Sequence, residues 1–280
     1  MTKAKKATKR MTKKDIYAEY GIEFRNSDGK ILAPIFGWIN PLLINGNAKI
    51  GKGVWQYSSL PTNKWFHIDV NGEPIECKGT CACHCDGCYA CTGCYNFHST
   101  KVSLLRKTIL QRLCSDFVKR AILAQIKADK IRLCRIHVAG DFDPENKEYI
   151  PMWHAIVEAC PNTLFWTYTK VNGAEHAFDD LSNINVVKSV IEGYGFNFGK
   201  IEYVIRLYYI LKDMGKSVHI CRCGIDENQH CVNCKGCATN DYVLFIEHST
   251  NYVAKEDVLY PEIVKLIESQ ESMTADLLVA

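Results

Sequence analysis

Leu105, Ile109, Leu113, Phe117 and Ala121 return every fourth position along a stretch that holds neither Gly nor Pro. Four residues is close to one helical turn, so the spacing predicts a single amphipathic helix over about residues 101–128. Upstream, residues 15–75 carry short β-like runs, KILAPIF and KWFHIDV, separated by Asn-Gly and other Gly-containing turns, which predicts a strand-rich N-terminal region. Downstream, apolar runs alternate with helical spacing. The pattern predicts strands at 131–138 (IRLCRIHV), 163–169 (TLFWTYT), 184–190 (INVVKSV), 217–221 (SVHIC) and 242–246 (YVLFI). Between and after them it predicts a helix opening near Pro151, a short one near 174–181, and others over about 200–213 and 257–270. Pro151 and Pro261 both suit a first helical turn, where a missing N–H is no loss. Strand and helix in alternation imply parallel pairing through crossover connections, and in such sheets the carboxyl ends of the strands gather the chemistry.

Two strand ends therefore draw attention. The first reads HVAGDFDPEN, where small Ala139 and Gly140 let the backbone turn and Asp141, Asp143 and Glu145 cluster beyond. The second reads WTYTK, with Trp166 and Tyr168 on one face and Thr167 and Thr169 on the other. His137, between Ile136 and Val138, has the setting of a hydrogen-bonded core histidine, yet it directly precedes the Gly-Asp turn. Trp166 and Tyr168 suit either core packing or stacking on an adenine or nucleobase.

Composition changes this picture through cysteine. The chain has 15 cysteines in 280 residues, an odd number, and no apolar segment follows its basic N-terminus in the manner of a secretory signal. No apolar run approaches the ~20 residues of a membrane helix. The expectation is a cytoplasmic chain without membrane contact, where clustered thiols bind metal more often than each other. An apolar content of 47% suffices for a full core. Charge is uneven: residues 1–14 hold seven Lys or Arg and no acid against a net +3 for the chain, so the remainder is net acidic. A second excess lies at 101–135, with ten Lys or Arg against Asp116 and Asp129. The bland account of both is solvation; the functional one is contact with nucleic acid or a host protein.

Residues 77–94 hold seven cysteines. Within them, Cys81-x3-Cys85-x2-Cys88 resembles the three-thiolate loop of the radical S-adenosylmethionine enzymes. That resemblance implies three cysteines on three irons of a [4Fe–4S] cluster, with the fourth iron open to S-adenosylmethionine. It implies also that the loop precedes a helix and that the next strand ends in a Gly-Gly-Glu-like turn meeting the cofactor's amino group. Here the long helix follows, and the next strand ends Ala139-Gly140-Asp141-Phe142, so Asp141 takes the acidic role. There are departures. Gly87 stands where an aromatic residue usually precedes the third cysteine, with Tyr89 following instead. Cys85, Cys88, Cys91 and Cys94 also form a C-x2-C-x2-C-x2-C run, with Cys77 just upstream, that suits a ferredoxin-like cluster or a zinc ion; the spacing leaves open which four bind.

A second group lies in CRCGIDENQHCVNCKGCATND, where Cys231, Cys234 and Cys237 are spaced by two residues and preceded by Cys221 and Cys223. Repeated gaps of two with thiolates alone favour a second iron–sulfur cluster; zinc, with His230 completing the set, is the alternative. The isolated Cys114, Cys134 and Cys160 fall on apolar positions and read as core.

The blocks CYA (88–90), RIHVAGDF (135–142), FWTYTK (165–170) and HCVNCKGC (230–237) resemble the phage and prophage gene product 88-like proteins over about residues 77–240. The resemblance implies an α/β fold class: a partial (β/α) barrel of radical-SAM-like type, with a strand-rich N-terminal extension and two cysteine-rich metal loops. The expected domains are a basic disordered tail (1–14), the strand-rich region (15–76), the core (77–255), and a C-terminal helix and tail (256–280). Two functions follow. One is an enzyme that cleaves S-adenosylmethionine reductively with an electron donor, binding the cofactor through Gly140, Asp141, His137, Trp166 and Tyr168, and takes hydrogen from an unknown substrate held near Trp166, Tyr168 and the acidic turn. The other is a metal-stapled binding protein of a phage or mobile element that contacts nucleic acid or a host protein without turnover.

Overall fold

The computed structural model describes residues 42–46, 50–70, 72–83, 88–221, 230–246 and 265. The basic tail, the KILAPIF run, Cys85, Cys223 and, apart from Lys265, the helix expected at 257–270 lie outside the described residues. The chain divides into two compact units, one of Met1–Gly46 with Gly53–Val186 and one of Asn47–Lys52 with Val187–Ala280.

The first unit opens with β1 (Ile44–Asn45), β2 (Val54–Gln56) and a hairpin of β3 (Trp65–Val70) and β4 (Glu73–Lys78). In β3, exposed His67 and Asp69 flank buried Ile68, which pairs with Ile75 across the hairpin, the period-2 pattern of a half-buried ribbon. The helix expected over 101–128 is two: α1 (His98–Leu113) and α2 (Ser115–Asp129), interrupted at Cys114 with φ −143° and ψ 51°. The interruption has local causes. The Ser115 hydroxyl donates back to the Gln111 carbonyl at 2.6 Å, and the Asn146 amide nitrogen donates to the same carbonyl at 2.7 Å. A side chain inserted into the helical ladder bends it. At the far end Lys130 takes φ +50°, and the Ile131 N–H reaches the Ile126 carbonyl at 3.0 Å, a left-handed cap that turns the chain into the next strand.

Next come β5 (Leu133–Arg135), α3 (Tyr149–Glu158) with Pro151 in its first turn, β6 (Leu164–Thr169) and β7 (Ile184–Lys188). The sheet order is β1-β2-β5-β6-β7; β1 is antiparallel to β2, while β2–β5 and β5–β6 are parallel. The strand expected to run to residue 138 has a shorter regular ladder because His137 turns to φ +59°, yet its bonding continues: Ile136 N–H to the Trp166 carbonyl at 2.9 Å and Val138 N–H to the Tyr57 carbonyl at 3.0 Å. The helices cover a core in which Trp153, Tyr57, Tyr149, Phe117, Phe142 and Phe165 are fully buried, each contributing about 1.5–3 kcal/mol. Cys114 and Cys134 belong to that core, as their apolar positions implied.

The second unit has a short antiparallel ribbon, β8 (Val190–Ile191) with β9 (Gly195–Phe196), then β10 (Phe198–Gly199), α4 (Ile201–Asp213), β11 (Val218–Ile220), the single turns α5 (Cys231–Cys234) and α6 (Gly236–Thr239), and β12 (Tyr242–Ile246). Its three-stranded sheet runs β10-β12-β11, parallel throughout, and α4 buries Val204, Leu207 and Leu211 together with Val218, Ile220 and Leu244. The alternation read from the sequence is thus realised in two separate sheets, and among the described residues no sheet closes into a barrel. No helix of the described residues is long and apolar enough to cross a membrane.

Candidate metal and cofactor sites

Bonding beyond β2 carries the chain alongside the end of β5: Ser59 N–H donates to the Ala139 carbonyl at 3.0 Å. The β3–β4 hairpin then folds the chain back on itself. Gly79 N–H reaches the Lys64 carbonyl, Thr80 N–H the Leu60 carbonyl and Cys81 N–H the Thr62 carbonyl, at 3.0, 2.9 and 3.0 Å. The return is tight. A Cβ on Gly79 would lie 2.0 Å from the Pro61 carbonyl oxygen, and one on Gly140, at φ +86°, would lie 2.1 Å from Ser59 Oγ. Glycine at these two positions lets three backbone segments meet. The Thr80 hydroxyl ties them, donating to the Leu60 carbonyl at 3.0 Å and accepting Asp141 N–H at 3.1 Å. Cys81 therefore stands at the carboxyl ends of neighbouring parallel strands, where α/β sheets hold ligands.

The Cys81 sulfur accepts the Thr62 N–H at 3.1 Å, with Thr62 itself at φ +59°. Burial pushes the Cys81 thiol up, the Asp141 carboxylate adds to this, the Thr62 amide pulls it down and the Cys88 charge raises it again. A bound metal reverses this balance, since a coordinating thiol is deprotonated. Cys91 is pushed up by burial and then by Cys88, to which it is hydrogen-bonded. Cys81, Cys88 and Cys91 thus share one electrostatic neighbourhood. Cys94 is exposed, and Cys77 is buried with the Arg112 Nη1 at 3.6 Å; burial lifts its thiol to about 11 while Arg112 opposes this. Among the described residues no three Cys, His, Asp or Glu side chains converge as a finished metal site. The donor set nevertheless fits a thiolate-held cofactor in kind, with soft sulfur ligands on short gaps and a backbone N–H already aimed at one sulfur.

Asp141 is buried, and its carboxylate is occupied by this chain. Oδ1 accepts the Thr169 hydroxyl at 2.7 Å and Phe142 N–H at 2.7 Å; Oδ2 accepts Lys170 N–H at 2.8 Å. Burial raises its carboxyl above the ordinary range, with the Thr169, Lys170 and Phe142 donors opposing. The carboxylate clamps the end of β6 to the end of β5. His137 is likewise engaged: Nδ1 lies 3.0 Å from the Thr167 hydroxyl and Nε2 2.8 Å from the Tyr149 hydroxyl, leaving no ring nitrogen for a metal. Burial, then the Arg135 charge, lowers His137 to about 3. Trp166 is buried, whereas Tyr168 is half-buried with the Arg135 guanidinium 5.1 Å from its ring centre.

Sequence reasoning missed Thr62, Thr80 and Arg112. Arg112 grips buried Asp143 with two nitrogens, Nε to Oδ2 at 2.7 Å and Nη2 to Oδ1 at 3.1 Å, and so ties α1 to the loop after β5. The acidic cluster beyond Gly140 was visible; its pairing across 31 residues was not.

In the second unit, Cys221 N–H continues the β11–β12 ladder to the Leu244 carbonyl at 2.8 Å. Cys231 and Cys234 bound α5, Lys235 turns at φ +53°, and Cys237 is buried in α6. His230 packs on Gly51, whose added Cβ would lie 2.9 Å from His230 Cβ, and its buried Nδ1 has no hydrogen-bond partner among the described residues. A histidine not singled out from the sequence, His219 on β11, lies with Nε2 at 3.3 Å from the Cys234 sulfur.

No curated protein and no solved structure matches the chain. The family model Gene product 88 does match it, over residues 41–240, a span that includes both cysteine loops, and the chain therefore belongs to the gene product 88 family.

Proposed function

We propose that this chain is an iron–sulfur protein in which the 77–94 loop holds a [4Fe–4S] cluster, and that it acts as a radical S-adenosylmethionine-like enzyme on an unknown substrate, with an electron donor as partner. One observation carries the reading: the Cys81 sulfur, hydrogen-bonded by Thr62 N–H and close to Cys88, sits at the carboxyl ends of parallel strands beside Asp141. The chemistry such a cofactor pair supplies when bound is reductive cleavage of the sulfonium and hydrogen abstraction. The chain's residues would orient and desolvate. Thr62 steadies one thiolate, Gly140 keeps its position clear of a side chain, and Tyr89, whose hydroxyl is bonded to the Val138 carbonyl, anchors the cysteine segment against the end of β5. A partial barrel is the fold that accompanies this reading, and the cytoplasm its compartment.

Anaerobic reconstitution followed by iron and sulfide counting and electron paramagnetic resonance tests the cluster. About four iron and four sulfide per chain at the first loop is the expected result. Release of 5′-deoxyadenosine under reductant tests catalysis. Stoichiometric zinc without sulfide at that loop would defeat the enzyme.

A second reading has its own support. Both carboxylate oxygens of Asp141 and both ring nitrogens of His137 are already hydrogen-bonded to this chain's own groups, which favours a metal-stapled binding protein of a phage or mobile element. Iron present with no 5′-deoxyadenosine release would favour it. Removing residues 1–14 should then weaken nucleic-acid binding and flatten its salt dependence; unchanged binding would reject the tail's part.

A further inference from the structure

We infer that the second cysteine loop is a mixed thiolate–imidazole site for a tetrahedral zinc ion, with His219 as its nitrogen ligand and Cys234 as one of its sulfur ligands. The inference deepens the metal-protein reading and rests on it only in that the second loop binds metal; it is independent of what the first loop holds.

Three observations converge. His219 Nε2 and Cys234 Sγ lie 3.3 Å apart. Zinc–sulfur and zinc–nitrogen bonds of about 2.3 and 2.0 Å at a tetrahedral angle separate the two ligand atoms by about 3.5 Å, so the pair is spaced to share one ion. The imidazole is also seated. A Cβ on Gly236 would come within 2.5 Å of Cδ2, Cε1 and Nε2 of His219, so the ring occupies the space that any side chain at 236 would need. Gly236 lies between Cys234 and Cys237, and a larger residue there would evict the ring from the loop that carries the thiols. Finally, His219 stands on β11 and Cys221 follows two residues later with its N–H still in the ladder, so strand alternation puts both on one face. Among the described residues no third Cys, His, Asp or Glu closes on this pair, so completing the tetrahedron takes a local shift on binding that brings in two thiols from Cys221, Cys231 and Cys237.

His230 had the stronger claim from sequence, being adjacent to Cys231. Its ring instead packs on Gly51. An imidazole among thiolates selects zinc over an ordinary four-cysteine iron–sulfur cluster.

The direct measurement is zinc X-ray absorption on the full wild-type chain. One nitrogen and three sulfurs in the zinc shell is the expected result; four sulfurs, or no zinc after exposure to excess zinc, would overturn the proposal. Competition with a chromophoric chelator gives a second readout. His219→Ala should lower zinc affinity by about ten-fold or more, His219→Cys should retain zinc with an all-sulfur shell, and His230→Ala should leave affinity unchanged. Undiminished affinity in His219→Ala, or loss confined to His230→Ala, would reject His219. Should His219→Ala fail to fold, the wild-type shell still decides. Replacing Cys81, Cys88 and Cys91 with Ala should remove iron from the first loop and leave zinc in the second; absence of iron in the wild type, with zinc present, would defeat the cluster reading alone.

Discussion

Single residues with no room to change make the sharpest tests. Gly140 combines φ +86° with a Cβ position 2.1 Å from Ser59 Oγ. Gly140→Ala is expected to destabilise the protein by about 2–4 kcal/mol, from left-handed strain plus overlap. Gly72 has φ +83° but nothing within 4 Å of its added Cβ, so Gly72→Ala should lose only about 1 kcal/mol. Urea denaturation of both variants separates strain from overlap, and equal losses would show that close approach at Gly140 does not matter. His137 gives a pH signature. Its folded-state value of about 3 lies below the ordinary 6.5, so the unfolded chain takes up a proton first as pH falls. Stability from neutral His137 is full above pH 6.5 and is lost between 6.5 and 3, at up to about 1.4 kcal/mol per pH unit. His137→Asn keeps a residue that tolerates φ near +59° and should flatten that part of the stability profile.

At the scale of elements, the interruption at Cys114 and the clamp at Arg112 fix how α1 and α2 meet the loop after β5. Asp143 has a fully buried side chain, and Arg112 is its two-nitrogen partner. Arg112→Ala would leave that carboxylate buried without its cation, and a loss of about 3–5 kcal/mol is expected by thermal or urea unfolding. Arg112→Lys should recover only part of it, since an ammonium lacks the planar fork. A loss below ~1 kcal/mol in Arg112→Ala would mean that the pair behaves as an exposed one. The sequence period was right about only part of the apolar face of 101–128: Leu105, Phe117 and Ala121 are buried and Ile109 partly so, whereas Leu113, beside the interruption, is exposed. It missed the break because the residue that inserts there, Asn146, is 31 positions away from Ser115, and periodicity reads only neighbours along the chain.

On the scale of the whole molecule, the two cysteine loops belong to two compact units, and thiols within one loop differ in role. Cys81 stands at the strand ends; Cys77 stands against Arg112. Cys81→Ser is expected to abolish iron incorporation after reconstitution, whereas Cys77→Ser should keep iron and lose about 1–2 kcal/mol of stability. Equal iron loss in both would place Cys77 among the ligands. The sequence by itself determined the strands at β6, β11 and β12, the helix α4, the buried Cys114 and Cys134, and the family's block order, because period and local composition act within a turn or a strand. Only the tertiary structure decided that a hairpin returns Cys81 to Thr62, that Asp141 clamps two strands, and that His219 meets Cys234. Those contacts join residues 15 to 29 positions apart, and such distances are closed by register and by glycine-permitted backbone approach, which no local pattern encodes.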